Sequence, residues 1–217
     1  LGKIIEQSFE QVLTKKQASV LKLLGPIAKE IGFYLAGGTA AALYLRHRCS
    51  VDFDWFTSKK LKDPLSLAES LKTKGLNIKV TEFSPGTLHC TLKAVRVSFF
   101  EYTYPLISSL VQCDSFGFMI ASLDDIACMK LIAIAQRGSK KDFVDIYAIC
   151  KKHKPLKELL RLAKKKFDLE DISSILFGLT YFEDADRERM PKMLWKADWR
   201  NIKSEIKKWV KEASEQI

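Results

Sequence analysis

A chain of 217 residues with 47% hydrophobic side chains can bury a core, which excludes a disordered polypeptide. Thirty-six Lys and Arg against 26 Asp and Glu leave a formal charge of +10 and a pI near 9.3. That surplus favours a polyanionic partner such as RNA, DNA or nucleotide, although many basic proteins are merely basic. Five scattered cysteines (Cys49, Cys90, Cys113, Cys128, Cys150) form no Cys-x-x-Cys pair and no zinc-type cluster, so reduced thiols are expected. No signal-type segment and no apolar run of membrane-spanning length is visible. The expectation is a cytoplasmic protein with no membrane partner.

Residues 1–15 read as a short helix or arm. Gln17 to Ile31 has helical apolar spacing, with Pro26 expected to kink or split it and Gly32 to end it. Tyr34-Leu35-Ala36 is a short apolar strand that stops at Gly37-Gly38. Thr39 follows, then a run of helix formers from Ala40 to Leu45. Val51 to Phe56 alternates with period two, which puts Asp52 and Asp54 on one face of a strand. A loop to Pro64 and a helix from Leu65 to Thr73 come next. Runs at Asn77–Phe83, Thr87–Leu92 and Val95–Tyr102 read as an antiparallel meander. Pro105–Gly117 reads as a loop and Phe118–Ala121 as a short strand.

The remainder is helical. Ser122 reads as the N-cap of an apolar helix over Ile126–Gln136, and Lys130 on its buried face requires an anionic partner. Ser139 starts the next helix by the same logic, with Asp142 and Asp145 on a shared face. A further helix is expected over Asp168–Phe182, then a polar connector at Asp184–Arg189. Trp195, Trp199 and Trp209 sit on a C-terminal amphipathic pattern, as core residues or as base-stacking rings. The Lys151–Lys154 and Lys164–Lys166 runs suit helix C-termini and equally suit a nucleic-acid backbone.

Two features carry chemistry. A glycine pair that opens a helix lets a ligand approach the backbone and presents unpaired N–H groups to an anion such as phosphate. Two carboxylates side by side repel unless a cation lies between them, and oxygen ligands suit Mg²⁺ or Mn²⁺. Singly, each has a plainer reading, as a turn or as the polar face of a strand. The two in this order resemble the nucleotidyltransferase fold of the DNA polymerase beta superfamily. Gly37-Gly38-Thr39-Ala40 with Arg46-His47-Arg48-Cys49-Ser50-Val51-Asp52-Phe53-Asp54 resembles more closely its AbiEii/AbiGii toxin branch, and Lys130, Arg137 and Asp142-x-x-Asp145 match that branch's helical half.

The resemblance covers most of residues 33–165 and implies an α+β fold, with a mixed or antiparallel nucleotidyltransferase sheet and flanking helices; the chain's own pattern divides near residue 120, into an α/β half over 1–120 and an all-helical half over 121–217. The resemblance also implies an NTP held by Gly37, Gly38 and Thr39, with help from Arg46, Arg48, Arg137 and Asp142. Asp52 and Asp54 would hold Mg²⁺ and, with Lys130 and Asp145, form the catalytic set. Asp142 has the alternative of capping its helix, Asp145 of pairing with Lys130 or Arg137, and Arg46 and Arg48 of lying in solvent. The superfamily places a third carboxylate on the neighbouring strand. Here that position holds Ser98, and Glu101 near the strand's end is the substitute metal ligand, or a rim glutamate. The activity implied is transfer of an NMP from an NTP to an acceptor hydroxyl, RNA and first of all tRNA, by the toxin of a pair with a cognate antitoxin. A protein or small-molecule acceptor, or a non-catalytic nucleotide- or RNA-binding descendant, are the other readings.

Overall fold

Alternation of side chains decides the sheet, and the computed structural model, which describes residues 8–215, shows how. Two compact units divide the chain. The first runs through Tyr44 and takes in 50–105 and 109–121; the second comprises 45–49, 106–108 and everything from Ser122 on.

In the first unit the elements are α1 (Phe9–Val12), α2 (Lys15–Glu30), β1 (Tyr34–Ala36), α3 (Gly37–Leu45), β2 (Phe53–Thr57), α4 (Pro64–Thr73), β3 (Ile78–Ser84), β4 (Thr87–Leu92), β5 (Val95–Glu101), β6 (Val111–Cys113) and β7 (Phe118–Ile120). The seven strands form one sheet in the order β3-β4-β5-β2-β1-β7-β6. The β2–β5 and β1–β7 pairs are parallel and the others antiparallel. Phe53, Trp55, Val97, Phe99, Leu88, Cys90 and Leu92 occupy alternate positions and are buried. Burial of each large side chain in this row contributes about 1.5–3 kcal/mol. Helix α2 packs against β5 and β7, and α4 against β3 and β4. The other face of the central strands carries Asp54, Phe56, His89, Ser98 and Phe100, all half-buried.

Local rules explain the boundaries. Thr14 and Gln17 close a capping box at the start of α2, and Asp63 caps α4 ahead of Pro64. Pro26 was expected to kink or split α2; it does not split it, and the helix runs on through Glu30. The preceding residue is Gly25, which has no Cβ to crowd the proline ring. A Cβ there would also lie 2.6 Å from the Phe116 carbonyl oxygen. Residues 111–113, read as loop, form β6 against β7, a strand too short to show a period. Lys93 and Ala94 both take positive φ, 49° and 57°, and make the tight β4–β5 turn.

In the second unit α5 (Leu123–Arg137), α6 (Lys140–Lys152), α7 (Leu156–Lys166), α8 (Ser173–Thr180), α9 (Glu183–Arg187) and α10 (Trp199–Ser214) follow one another. The helix expected over 168–182 starts only at Ser173, whose N–H is capped by Asp171, and the connector expected at 184–189 is helical through Arg187 as most of α9. Ser122 caps α5 as expected, while Ser139 makes no cap and instead donates to Glu188, which also accepts from Lys140 N. Gly178 on α8 lies so close to α5 that a Cβ would sit 2.9 Å from Ala135 Cα. The tryptophans pack: Trp199 against Phe143 and Phe182, Trp209 against Tyr147, Trp195 against His47. Among the described residues no helix is long and apolar enough to cross a membrane.

Candidate active site

Gly37 begins α3 directly at the end of β1, with φ at +67°. Only glycine adopts that conformation without strain. A Cβ at this position would also lie 2.8 Å from Asp54 Oδ2, so the missing side chain is what lets the carboxylate sit against the helix start. Gly38 and Thr39 complete the first turn of α3. Asp54 is fixed by register: it pairs across β2–β1 with Ala36, the residue before Gly37, and across β2–β5 with Ser98. Asp52 lies one residue before β2, which starts at Phe53 instead of Val51.

Thr39 corrects an expectation. Its hydroxyl was assigned to phosphate, but the residue is 2% exposed. It donates to the Asp52 carbonyl and accepts from Ser50 Oγ at 2.7 Å. Thr39 therefore ties the segment before β2 to the start of α3 and sets where Asp52 emerges. Gln17 Nε2 donates to the Ser50 carbonyl at 2.7 Å and anchors the same segment to α2. The Asp52 carboxylate receives two bonds from Arg96, at 2.6 and 3.0 Å. Nothing in the sequence singled out Arg96; it lies on β5 one position beyond the Phe53–Val97 pair.

Glu101 is a second correction. It pairs with Thr57, three residues beyond Asp54, and an offset of three turns its side chain to the opposite face of the sheet. Its Oε2 accepts from Leu61 N at 2.8 Å. Glu101 is a loop anchor and stands apart from Asp54. Among the described residues no group of three or more His, Cys, Asp or Glu is placed to hold a metal. The two aspartates still fit Mg²⁺, which keeps several waters and commonly takes only one or two carboxylates beside substrate phosphates.

The second unit holds a buried charge network. Arg48 clamps Asp145 with two bonds, 2.7 and 2.9 Å, and His47 Nε2 lies 2.7 Å from the same carboxylate. Lys130 Nζ lies 2.7 Å from both Asp142 and Asp145. Arg137 completes it on Asp142 at 3.0 Å. The i, i+3 spacing on α6 is what turns both aspartates to one lysine. Burial opposes the ionisation of Asp145, but Arg48, Lys130 and His47 outweigh it and hold the carboxyl well below the usual range. Burial likewise opposes charge on Asp142, yet Lys130 and Arg137 lower it. Burial works against the Lys130 ammonium, and Asp145 and Asp142 overcome it and raise its pKa. His47 is lowered, by burial more than Asp145 can offset, so it is neutral and donates from Nε2.

Lys130 and Asp145, expected to act directly, are thus buried and mutually paired, as is Arg48. Asp142 is enclosed too, and Arg137, with a side chain 60% exposed, is the member that reaches the surface. Three cations against two carboxylates leave these six residues one net positive charge. Arg46 is half-buried and takes φ of 52°, a left-handed residue just after α3. His47 was missed because its partner lies 98 residues away in sequence.

A family model for the nucleotidyl transferase AbiEii toxin, of a type IV toxin–antitoxin system, matches residues 22–212. The chain belongs to the AbiEii family. It is a nucleotidyltransferase. An uncharacterized protein of Aquifex aeolicus is 41% identical over 202 residues, covering 92% of this chain and 97% of that one. JHP933 from Helicobacter pylori has a similar fold, with a TM-score of 0.53 at 20% identity over 93% of this chain and 92% of that one. So does MenT4, a nucleotidyltransferase toxin of Mycobacterium tuberculosis, with a TM-score of 0.56 at 13% identity over 93% and 84%. The α+β architecture expected from sequence is the one these neighbours share.

Proposed function

We propose that this AbiEii protein transfers a nucleoside monophosphate from an NTP to a hydroxyl of RNA, tRNA first among candidates, with Mg²⁺ held by Asp52 and Asp54. The observation that carries the reading is the seat of the Asp54 carboxylate against Gly37 at the start of α3. Negative charge placed beside a phosphate-binding turn is unfavourable unless a cation joins them. Gly37 and Gly38 hold the phosphates by their backbone. Mg²⁺, when bound, neutralises phosphate charge and polarises the reacting phosphorus. Thr39 and Ser50 position Asp52. Within the helical unit, Arg137 is the exposed guanidinium of the charge network that Lys130, Asp142, Asp145, Arg48 and His47 build, and it and Arg46 are that unit's candidate anion-binding groups. The +10 charge favours a polyanionic acceptor over a small neutral one. Membership of a toxin family implies a cognate antitoxin, and the cytoplasm is the compartment where RNA and NTP meet.

The test is incubation with total RNA, Mg²⁺ and each labelled NTP, beside an Asp52→Ala/Asp54→Ala variant. Label in an RNA band from the wild type alone supports the reading and names the nucleotide. The variant should lose transfer by about a thousandfold, the scale of a lost electrostatic anchor in a transition state. Label on protein, or none, would remove RNA as the acceptor.

A further inference from the structure

Three neighbouring strands carry Asp54, Ser98 and His89 in one row. Asp54 pairs in register with Ser98, and Ser98 with His89, so all three side chains leave the same face. Neighbouring strands are about 4.8 Å apart, which puts Ser98 one strand from the aspartate and the imidazole two. His89 Nδ1 lies 2.9 Å from Ser98 Oγ. Phe100 holds the ring edge-on, with centroids 5.6 Å apart and planes at 77°. Glu82 sits opposite His89 on the far strand of the row. Arg96 and Asp52, paired with each other, lie one step along on the same face.

We propose that Ser98 and His89 form a proton relay that takes the place of a third carboxylate. The inference deepens the nucleotidyl-transfer reading and rests on it. An imidazole protonated at Nε2 accepts from the Ser98 hydroxyl at Nδ1, which leaves the Ser98 lone pairs to receive another proton. In the reaction the acceptor oxygen forms a bond to the α-phosphorus. The bond from that phosphorus to the bridging oxygen breaks, and its electron pair leaves with pyrophosphate. The acceptor's proton passes to Ser98 Oγ as the Ser98 proton passes to His89 Nδ1, giving imidazolium. Glu82 faces the positive charge that develops there. Imidazolium then returns its proton to solvent. This accounts for the serine at Ser98: a hydroxyl bridges the span that a longer acid would otherwise fill.

The decisive experiment compares kcat and the NTP KM for the wild type, Ser98→Ala, His89→Gln, the double variant His89→Gln/Ser98→Asp, and Asp54→Asn. Both single changes in the relay should lower kcat about a hundredfold, the usual scale of general-base loss, with KM unchanged. Ser98→Asp in the His89→Gln background should restore at least about tenfold, because a carboxylate accepts the proton directly. Nitrogen NMR of the free protein should show His89 Nδ1 as an acceptor in the wild type and lose that signature in Ser98→Ala. Wild-type kcat in His89→Gln, no recovery in the double variant, or no change in the NMR signature overturns the relay. A wild type that transfers nothing, or Asp54→Asn at full rate, defeats the nucleotidyl-transfer reading itself, and the relay with it.

Discussion

The chain holds two aspartate pairs with opposite fates. Asp52 and Asp54 sit two apart beside and on a strand, on a half-buried face, and Asp52 has as partner a guanidinium that is itself 70% exposed. Asp142 and Asp145 sit three apart on a helix, fully enclosed, and share Lys130 while Arg48, His47 and Arg137 saturate their remaining oxygens. The difference is one of electrostatic completion. A buried carboxylate persists only if its charge is answered on the spot. A carboxylate on an open face keeps the capacity to exchange its partner, which is what a metal-binding residue requires.

The sharpest way to break that comparison is to remove one member of the enclosed pair. Asp145→Ala leaves Arg48 and Lys130 crowded without their counterion. It should cost about 3–5 kcal/mol of unfolding free energy in denaturant titrations. A loss below about 1 kcal/mol would mean the network is not the fastener it looks like.

The pH dependence of stability sharpens it further. Asp142 and Asp145 are depressed, so their contribution is complete above the unfolded carboxylate range near about 3.9 and is lost as pH falls through their folded values. His47 is also depressed, so protonation favours the unfolded chain as pH falls below about 6.5. Lys130 is raised, so its contribution is complete below about 10.4 and is lost as pH rises through its folded value. Unfolding free energy should therefore be flat from about pH 6.5 to 10 as far as this cluster is concerned. His47→Gln should flatten the limb between about pH 4 and 6.5. An unchanged limb would assign it to other groups.

The smallest effect belongs to the exposed pair. Arg96→Ala should change unfolding free energy by no more than about 1 kcal/mol, the value of a surface ion pair. A cost matching that of Asp145→Ala would erase the distinction between the two pairs.

What the sequence disclosed follows the range of each interaction. The strand positions of Asp54 and Ser98 were legible because alternation is local, as was the turn at Gly37. So was the demand of Lys130 for an anion, since a lysine on an apolar helix has few other ways to persist. The identity of the anions was open, and the spacing of Asp142 and Asp145 made them candidates. Arg48 and His47 were not legible as their partners, because no local pattern links residues 97 and 98 apart. Thr39 misled for a related reason: a hydroxyl after two glycines looks like a phosphate ligand until Ser50 and the Asp52 carbonyl are brought beside it. Glu101 misled through parity, since a carboxylate in the right strand still faces the wrong way at an odd offset. His89 showed no motif, because a cross-strand bond leaves no trace in spacing.

The five residues 45–49 belong to the helical unit although they lie in the middle of the chain that builds the sheet. Their backbone bonds to residues 192 and 194, and they carry both His47 and Arg48. A single cut near residue 121 would therefore yield a C-terminal fragment stripped of two of the groups that answer Asp145. Such a fragment inherits an enclosed negative charge with its strongest counterion missing. Residues 45–49 thus serve the helices that follow Ser122, and a division at residue 121 separates Asp145 from both Arg48 and His47.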